Sequence, residues 1–475
     1  MRHISRRELI GYGLGAAAIA GISPLTLPKA ADAQSPFSAG NSPHDAKDRI
    51  ASIEKAFQFQ DFMMDAYATG STVRLIQSYS DQIGLLSTGF TYDNAVAIHA
   101  YLARGGADNI SRASILGDGL IYAQANNFPF NDGRFAQGYF VNVATSGGEF
   151  ITPAANPFYF YTSAVGDQAW AGMALAQLYR RTGQEKYLTA ALSVANWIVT
   201  NTYNTLGPGG YSFGTNINQF NQSVPSTNGK STEHNIDTYA FFTILHELTR
   251  NGNAANGSSW KSLAAHAFEF VVAMYNEAGG YFYTGTLGDQ ITVNPSPIPE
   301  DVQTWSYLAL LDNKYKHTID WALANLQNTD TPSATDSSLT GTQKFTGMAY
   351  DTASLTTASN DPDAVWLEGT SHTIAALTAR AIAGGGNYDA DRKDLEAALN
   401  FATNCQLAQA ELGIAQTVNG KAITAGNGLV AATSPMDTGF GFSYFPDLHI
   451  GATGWYLLAA QGANPFQLGY QSFRR

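Results

Sequence analysis

Six short acidic segments hold the side chains most able to do chemistry in this chain. They are Thr91-Tyr92-Asp93-Asn94, Gly166-Asp167-Gln168-Ala169-Trp170, and Ser231-Thr232-Glu233-His234-Asn235-Ile236-Asp237. Three more follow: Pro299-Glu300-Asp301-Val302-Gln303-Thr304-Trp305, Val365-Trp366-Leu367-Glu368-Gly369-Thr370, and Phe445-Pro446-Asp447-Leu448-His449. Each carries an acid, and Tyr92, Trp170, Trp305, Trp366 and Phe445 place aromatic rings among them. Glycoside cleavage needs one protonated carboxyl to donate to the leaving oxygen and one carboxylate as base or nucleophile. Sugar C–H faces stack on aromatic rings while sugar hydroxyls bind carboxylates and amides, so acids mixed with aromatics suit a glycan cleft. Helix capping is the competing explanation, because acids favour the first turn of any helix. Asp108, Glu185 and Asp391 also begin helical segments, and Trp260 lies outside the acidic set. Acidity alone therefore discriminates little, and its combination with aromatics carries the reading.

Glu233 is the candidate general acid, since the cluster Glu233, His234, Asn235 and Asp237 is denser than capping requires. Glu368, flanked by Trp366 and Gly369, is the first candidate base, with Asp93 close behind. Asp167 could take either role or bind substrate. Tyr92, Trp170, His234, Asp237, Asp301, Trp305, Trp366 and His449 are the candidate substrate contacts.

These residues need a scaffold that gathers six distant segments. From about residue 43, helix-period stretches alternate with Gly/Asn/Thr/Ser-rich loops. A first helix runs through Ile53, Phe57, Met64 and Tyr67. Pairs follow at 92–105 with 108–126, 166–182 with 185–201, 232–250 with 259–276, 299–311 with 314–327, and 364–383 with 389–409. A last helix spans about 447–461, which makes twelve. Trp170, Met173, Ala174 and Leu178 recur as one buried helical face requires, as do Leu188, Leu192, Ala195 and Val199 in the partner. Long connections at 128–165, 204–231, 329–362 and 411–446 fall between pairs, always on the same side of the repeat. Short alternating stretches, Gly210-Tyr211-Ser212-Phe213 and Gly280-Tyr281-Phe282-Tyr283, read as small β-hairpins there.

The predicted fold is all-α: an (α/α)6 toroid of six helical hairpins, with long loops and small hairpins at one mouth. Solenoids of helix pairs have short connections, which argues for closure here. Inner helices about 9–10 Å apart would hold carboxyls of alternate helices on the order of 8–9 Å apart. That falls in the ~6.5–9.5 Å window of an inverting enzyme. Asp93 with Glu233, Glu233 with Glu368, and Asp167 with Asp301 are such pairs.

With its hairpin count and the inter-helix turn Arg181-Thr182-Gly183-Gln184-Glu185-Lys186-Tyr187-Leu188, the chain resembles the six-hairpin glycosidase superfamily over 43–463. The resemblance implies an (α/α)6 barrel and glycoside hydrolase chemistry, without naming one family. That superfamily also includes polysaccharide lyases, epimerases and non-catalytic members, so a lyase and a non-catalytic glycan-binding envelope protein are the alternatives.

Residues 1–33 read as an export signal. Ser5-Arg6-Arg7-Glu8-Leu9-Ile10 resembles a twin-arginine motif, and Ala31-Asp32-Ala33 a cleavage site. The remainder, 34–475, is expected to form a single catalytic domain, periplasmic or secreted, with no span of ~18 apolar residues. Its removal deepens the formal charge from −12, since 1–33 carries more basic than acidic residues. With no Lys/Arg run in the body, nucleic acid is excluded as a partner, and an oligo- or polysaccharide is the expected one. The single Cys405 excludes an internal disulfide framework. The nine histidines show no zinc spacing, and Asn360-Asp361-Pro362-Asp363 reads as a turn before a calcium loop. No dinucleotide or serine-hydrolase motif occurs, so neither metal nor cofactor is expected.

Overall fold

The computed structural model describes residues 43–470, apart from 128, 143–159, 161, 219, 221, 251, 334–335, 357–359 and 384–387. The proposed export signal lies outside the described residues. Twelve α-helices follow in chain order. They are α1 (Pro43–Met64), α2 (Thr91–Arg104), α3 (Ala107–Ala125), α4 (Val165–Thr182), α5 (Glu185–Thr202) and α6 (Thr232–Leu248). Then come α7 (Trp260–Ala273), α8 (Glu300–Leu310), α9 (His317–Leu326), α10 (Leu367–Ala383), α11 (Tyr388–Glu411) and α12 (Ile450–Ala460).

Even-numbered helices form a closed inner ring: α2 packs on α4, then α6, α8, α10 and α12, and α12 returns to α2. Each packs outward on its hairpin partner, and α1 covers α12. The chain is the (α/α)6 toroid expected. Sequence explains which helices lie inside. All of Ile450–Ala460 is buried, as a helix without a polar face must be, and all of Glu300–Leu310 is buried with its polar residues turned into the ring. Cations instead tie the outer layer: Arg112 bridges Asp61 and Asp65, Lys186 pairs with Asp118, and Arg380 joins Asp394 and Asp320. Small residues set how closely the ring draws in. A Cβ on Gly172 of α4 would sit 2.2 Å from the Phe241 ring of α6, so these two helices could not approach as they do with alanine there.

Two devices give the ring a mouth and a floor. Every inner helix is entered by an extended residue held in a β-pairing: Phe90, Ala164, Ser231, Pro299, Trp366 and His449. Phe90 belongs to β1 (Thr88–Phe90), paired with β2 (Gly138–Phe140), and Ala164 to β3 (Ser163–Ala164), paired with β4 (Gly214–Ile217). The rim is thus stitched where the acidic segments begin. Tyr281–Phe282 forms a strand against Tyr275–Asn276 as the alternation suggests, whereas Gly210–Phe213 contributes one bridge, Tyr203 to Tyr211, ahead of β4. At the opposite end, residues 463–470 fold under the ring. Asn464 and Gln467 donate to the Leu308 carbonyl at 2.8 and 2.9 Å, and Phe466 lies 5.3 Å from Trp170 and 5.4 Å from Trp305. This segment plugs the far end.

Candidate functional site

The six acidic segments meet at the stitched mouth. Asp93, Asp237, Glu300, Asp301 and Glu368 are buried there, while Asp167 and Glu233 are half-buried. A first-turn carboxylate gains about 0.3–1 kcal/mol from the helix dipole, whereas burying an uncompensated one costs several kcal/mol. Crowding seven carboxyls at one mouth is therefore a net cost to folding, and capping does not account for it. In α6 the cap is in fact Ser231, whose Oγ accepts from the His234 amide at 3.2 Å. Asp237 is the extreme case, since beyond the neighbouring Trp170 indole N–H its buried carboxyl oxygens find no donor. Burial first, then Glu233 and Asp301, push its pKa well above the usual carboxylate range. Asp301 is raised likewise by burial, Glu233 and Glu300, against the pull of His372 and the Val302 amide.

The half-buried pair is also raised. Burial and the neighbouring Asp93 lift Asp167 to about 8. Burial, then Asp167 and Glu368, lift Glu233 to about 7. Glu368 goes the other way. Burial opposes its ionisation, but His372, His449 and the Tyr92 hydroxyl together outweigh burial and hold its pKa below normal. The Tyr92 hydroxyl donates to Glu368 Oε1 at 2.5 Å and accepts from Trp455 Nε1 at 2.7 Å. His372 Nε2 stands 3.8 Å from Glu368 Oε1, and His449 Nδ1 3.6 Å from Oε2.

His372 is held charged. Burial lowers the pKa of His372, but Glu300, with Oε2 3.2 Å from Nδ1, and Glu368 raise it to about 9. Its ring sits among Trp455 at 4.4 Å, Trp305 at 4.9 Å and Trp366 at 5.1 Å, whose π faces favour a cation. His449 is raised by Asp93 and Glu368 against burial, and Tyr79 stacks on it at 4.0 Å. His234 is different: burial lowers it to about 4, so its ring is neutral, and it packs 4.5 Å from Phe213. Gly451, the second residue of α12, makes the convergence possible. A Cβ there would lie 2.6 Å from His449 Cε1, 2.7 Å from Asp93 Oδ1 and 2.8 Å from Glu368 Oε2.

The structure thus brings together Asp93, Asp167, Glu233, Asp237, Asp301, Glu368, Tyr92 and His449, with His234 and Trp366 at the edges. Trp170 and Trp305, 1% and 2% exposed, lie beneath Tyr92 and form the floor with Trp455 and Phe466. His372, Glu300, Tyr79, Tyr350 and Tyr444 belong to the site without having been among the candidates. A signal for His372 was present, because it lies one turn after Glu368 on the same helix face. Tyr350 comes from a loop and Tyr444 from a two-residue strand, where no periodicity points inward.

No protein-family model matches the chain, and no curated protein matches it. Solved structures do. A glycosidase variant in complex with glucose superposes with a TM-score of 0.54 at 10% identity, covering 89% of this chain and 99% of that one. An α-mannanase of glycoside hydrolase family 76 from Bacteroides thetaiotaomicron gives 0.53 at 13% identity, covering 87% and 95%. A family 76 mannosidase from the same organism gives 0.52 at 11%, covering 86% and 97%. The likeness runs over nearly the whole length of both chains and shows a shared fold.

Proposed function

We propose that the protein is an exported glycoside hydrolase that cleaves a neutral poly- or oligosaccharide by carboxylate acid/base chemistry, with inversion. One observation carries the reading. Two carboxyls on alternate inner helices, Glu233 and Glu368, are pushed in opposite directions by their surroundings. Separated pKa values assign the roles of acid and base. Glu233, with its pKa raised to about 7 and so still partly protonated there, donates to the departing glycosidic oxygen. Glu368, held ionised by two imidazoles and a phenol, takes a proton from the attacking water, and Asp93 is the second candidate for that task. Asp167, Asp237 and Asp301 receive sugar hydroxyls, while burial and the charges of Asp167 and Glu368 hold the pKa of Glu233 up.

The ion pairs of the ring carboxylates are with His372 and His449, both already engaged. A uronate would need a free cation, so a neutral sugar fits better than a lyase substrate. The structural neighbours include a glycosidase bound to glucose and an α-mannanase, which makes α-glucans and α-mannans the first substrates to try. Product analysis over a panel of these and of uronate-containing glycans tests the proposal. Reducing sugar of inverted anomeric configuration is expected. Unsaturated products would make the protein a lyase, and glycan binding without cleavage would make it a binding protein.

A further inference from the structure

Strands β5 (Met436–Asp437) and β6 (Ser443–Tyr444) form a hairpin in the loop that leads into α12. Its turn, Thr438-Gly439-Phe440-Gly441-Phe442, leaves Phe440 43% and Phe442 47% exposed, and Phe445 just beyond is 40% exposed. Phe440 and Phe442, both beside Tyr350, leave nearly half of each ring in water and so forgo part of a burial worth about 1.5–3 kcal/mol when complete. Clustered apolar exposure marks a binding surface. The turn is firmly built. Thr438 Oγ1 donates to the Phe442 carbonyl at 2.7 Å, the Gly439 amide donates to Asp437 Oδ1 at 2.7 Å, and Ser354 Oγ donates to the Asp437 carbonyl at 2.6 Å. Gly439 and Gly441 have φ of 69° and 85°, so the turn depends on glycine at both places.

The rings continue inward. Tyr350 lies 6.2 Å from Phe440 and 6.1 Å from Phe442, and 4.7 Å from Trp366. Tyr444 lies 5.6 Å from Phe442, 5.8 Å from Trp366 and 6.5 Å from His449, the partner of Asp93 and Glu368. An unbroken aromatic track therefore joins the exposed hairpin to the carboxylate ring.

We propose that Phe440 and Phe442 form a sugar-stacking subsite, on which a pyranose unit of the same glycan chain rests while a bond further along is cleaved. The inference rests on the glycosidase reading and deepens it: the substrate is a chain longer than the carboxylate ring alone can hold. Continuity of the rings with the reacting groups favours sugar over a protein partner, and a turn already fixed by hydrogen bonds loses little entropy on binding.

The test is chain-length dependence of kcat/KM on α-mannan and α-glucan oligosaccharides of two to six units. In the intact protein kcat/KM rises with length. In Phe440→Ala/Phe442→Ala that rise shrinks about tenfold, mainly through KM on the longest members. Leu407→Ala, on the outer helix α11, follows the intact protein. Should the double variant fail to fold, each single variant is read the same way. An unchanged length profile, or an equal loss at every length, overturns the subsite. So does an unchanged profile with lost self-association in light scattering, which would make the patch a protein interface. Absence of hydrolysis by the intact protein on any member overturns the glycosidase reading, and the subsite with it.

Discussion

Nε2 of His449 lies 3.2 Å from Oδ2 of Asp93, across 356 residues of sequence. Asp93 stands in the first turn of α2 and His449 caps α12, so this contact joins the first and last helices of the inner ring. The Ala452 amide donates to Nδ1 of His449 at 3.3 Å, which directs the Nε2 proton at Asp93. Ring closure and electrostatics are thereby one feature. The imidazole that seals the ring also stands 3.6 Å from Glu368 and helps to keep it ionised, opposite a Glu233 whose pKa is raised.

Glu233→Gln should lower kcat by about three orders of magnitude, within the range that general acid catalysis contributes. Substrates with good leaving groups, which need little protonation, should recover most of the loss, and Glu368→Gln should show no such recovery. Because Glu233 must be protonated, kcat/KM should fall as pH rises through about 7. The acid limb should lie below the ordinary glutamate range, where Glu368 finally takes up a proton. A pH–rate profile on unactivated oligosaccharides, whose leaving oxygen must be protonated, checks both limbs. Near-normal turnover by Glu233→Gln would return the acid role to Asp167 or Asp301.

Gly451→Ala tests the convergence of Asp93, Glu368 and His449. Its methyl would sit under 3 Å from atoms of all three, and the close approach cannot persist with it in place. Turnover should drop at least tenfold while melting shifts only slightly, because the displaced groups are polar side chains rather than core. Assays of turnover and thermal unfolding on one preparation separate the two effects, and unimpaired turnover would show that the arrangement does not matter for catalysis.

Helix pairing was legible because Trp170, Met173, Ala174 and Leu178 repeat at helical spacing, and all of them are buried. Periodicity reports which face looks inward but not depth along the axis. At ~1.5 Å of rise per residue, Trp170 sits about 4.5 Å deeper than Asp167, and Trp305 about 6 Å deeper than Asp301. Both therefore belong to the floor, while Tyr92 and Trp366, which precede their acids, stay near the mouth. The contacts of His372 with Glu300 and of Tyr350 with Trp366 join different elements, and nothing in local spacing encodes them. The plug at 463–470 has no periodicity and was not legible at all.

Export can be checked independently of activity. Replacing Arg6 and Arg7 together by lysine should stop delivery through the twin-arginine route, while the unaltered chain should be recovered from periplasm or medium beginning at or near Gln34. Fractionation with N-terminal mass spectrometry reads both, and undiminished export of the double variant would refute the assignment.

Asp237→Asn should stabilise the protein while impairing it. Unfolded, this aspartate ionises near pH 3.9; folded, it keeps its proton far above that, so folding takes up a proton and stability falls as pH rises between the two values. Asp167, Glu233 and His372, with folded values of about 8, 7 and 9, act in the same direction across neutral pH. His234, lowered to about 4, is neutral in both states above pH 6.5, and Lys230, lowered to about 8, opposes the trend only above that point. Between pH 6.5 and 8 the melting temperature of the intact protein should therefore fall. Asparagine removes one titrating group without changing the side chain's shape, so the variant should be more stable than the intact protein at pH 7, with the gap widening toward pH 8. Its KM should rise, since a carboxyl whose only nearby donor is the Trp170 indole has oxygens left to receive a sugar hydroxyl. Stability gained at the expense of function is the signature of a site residue. Lower stability at every pH, with KM unchanged, would make Asp237 a structural residue.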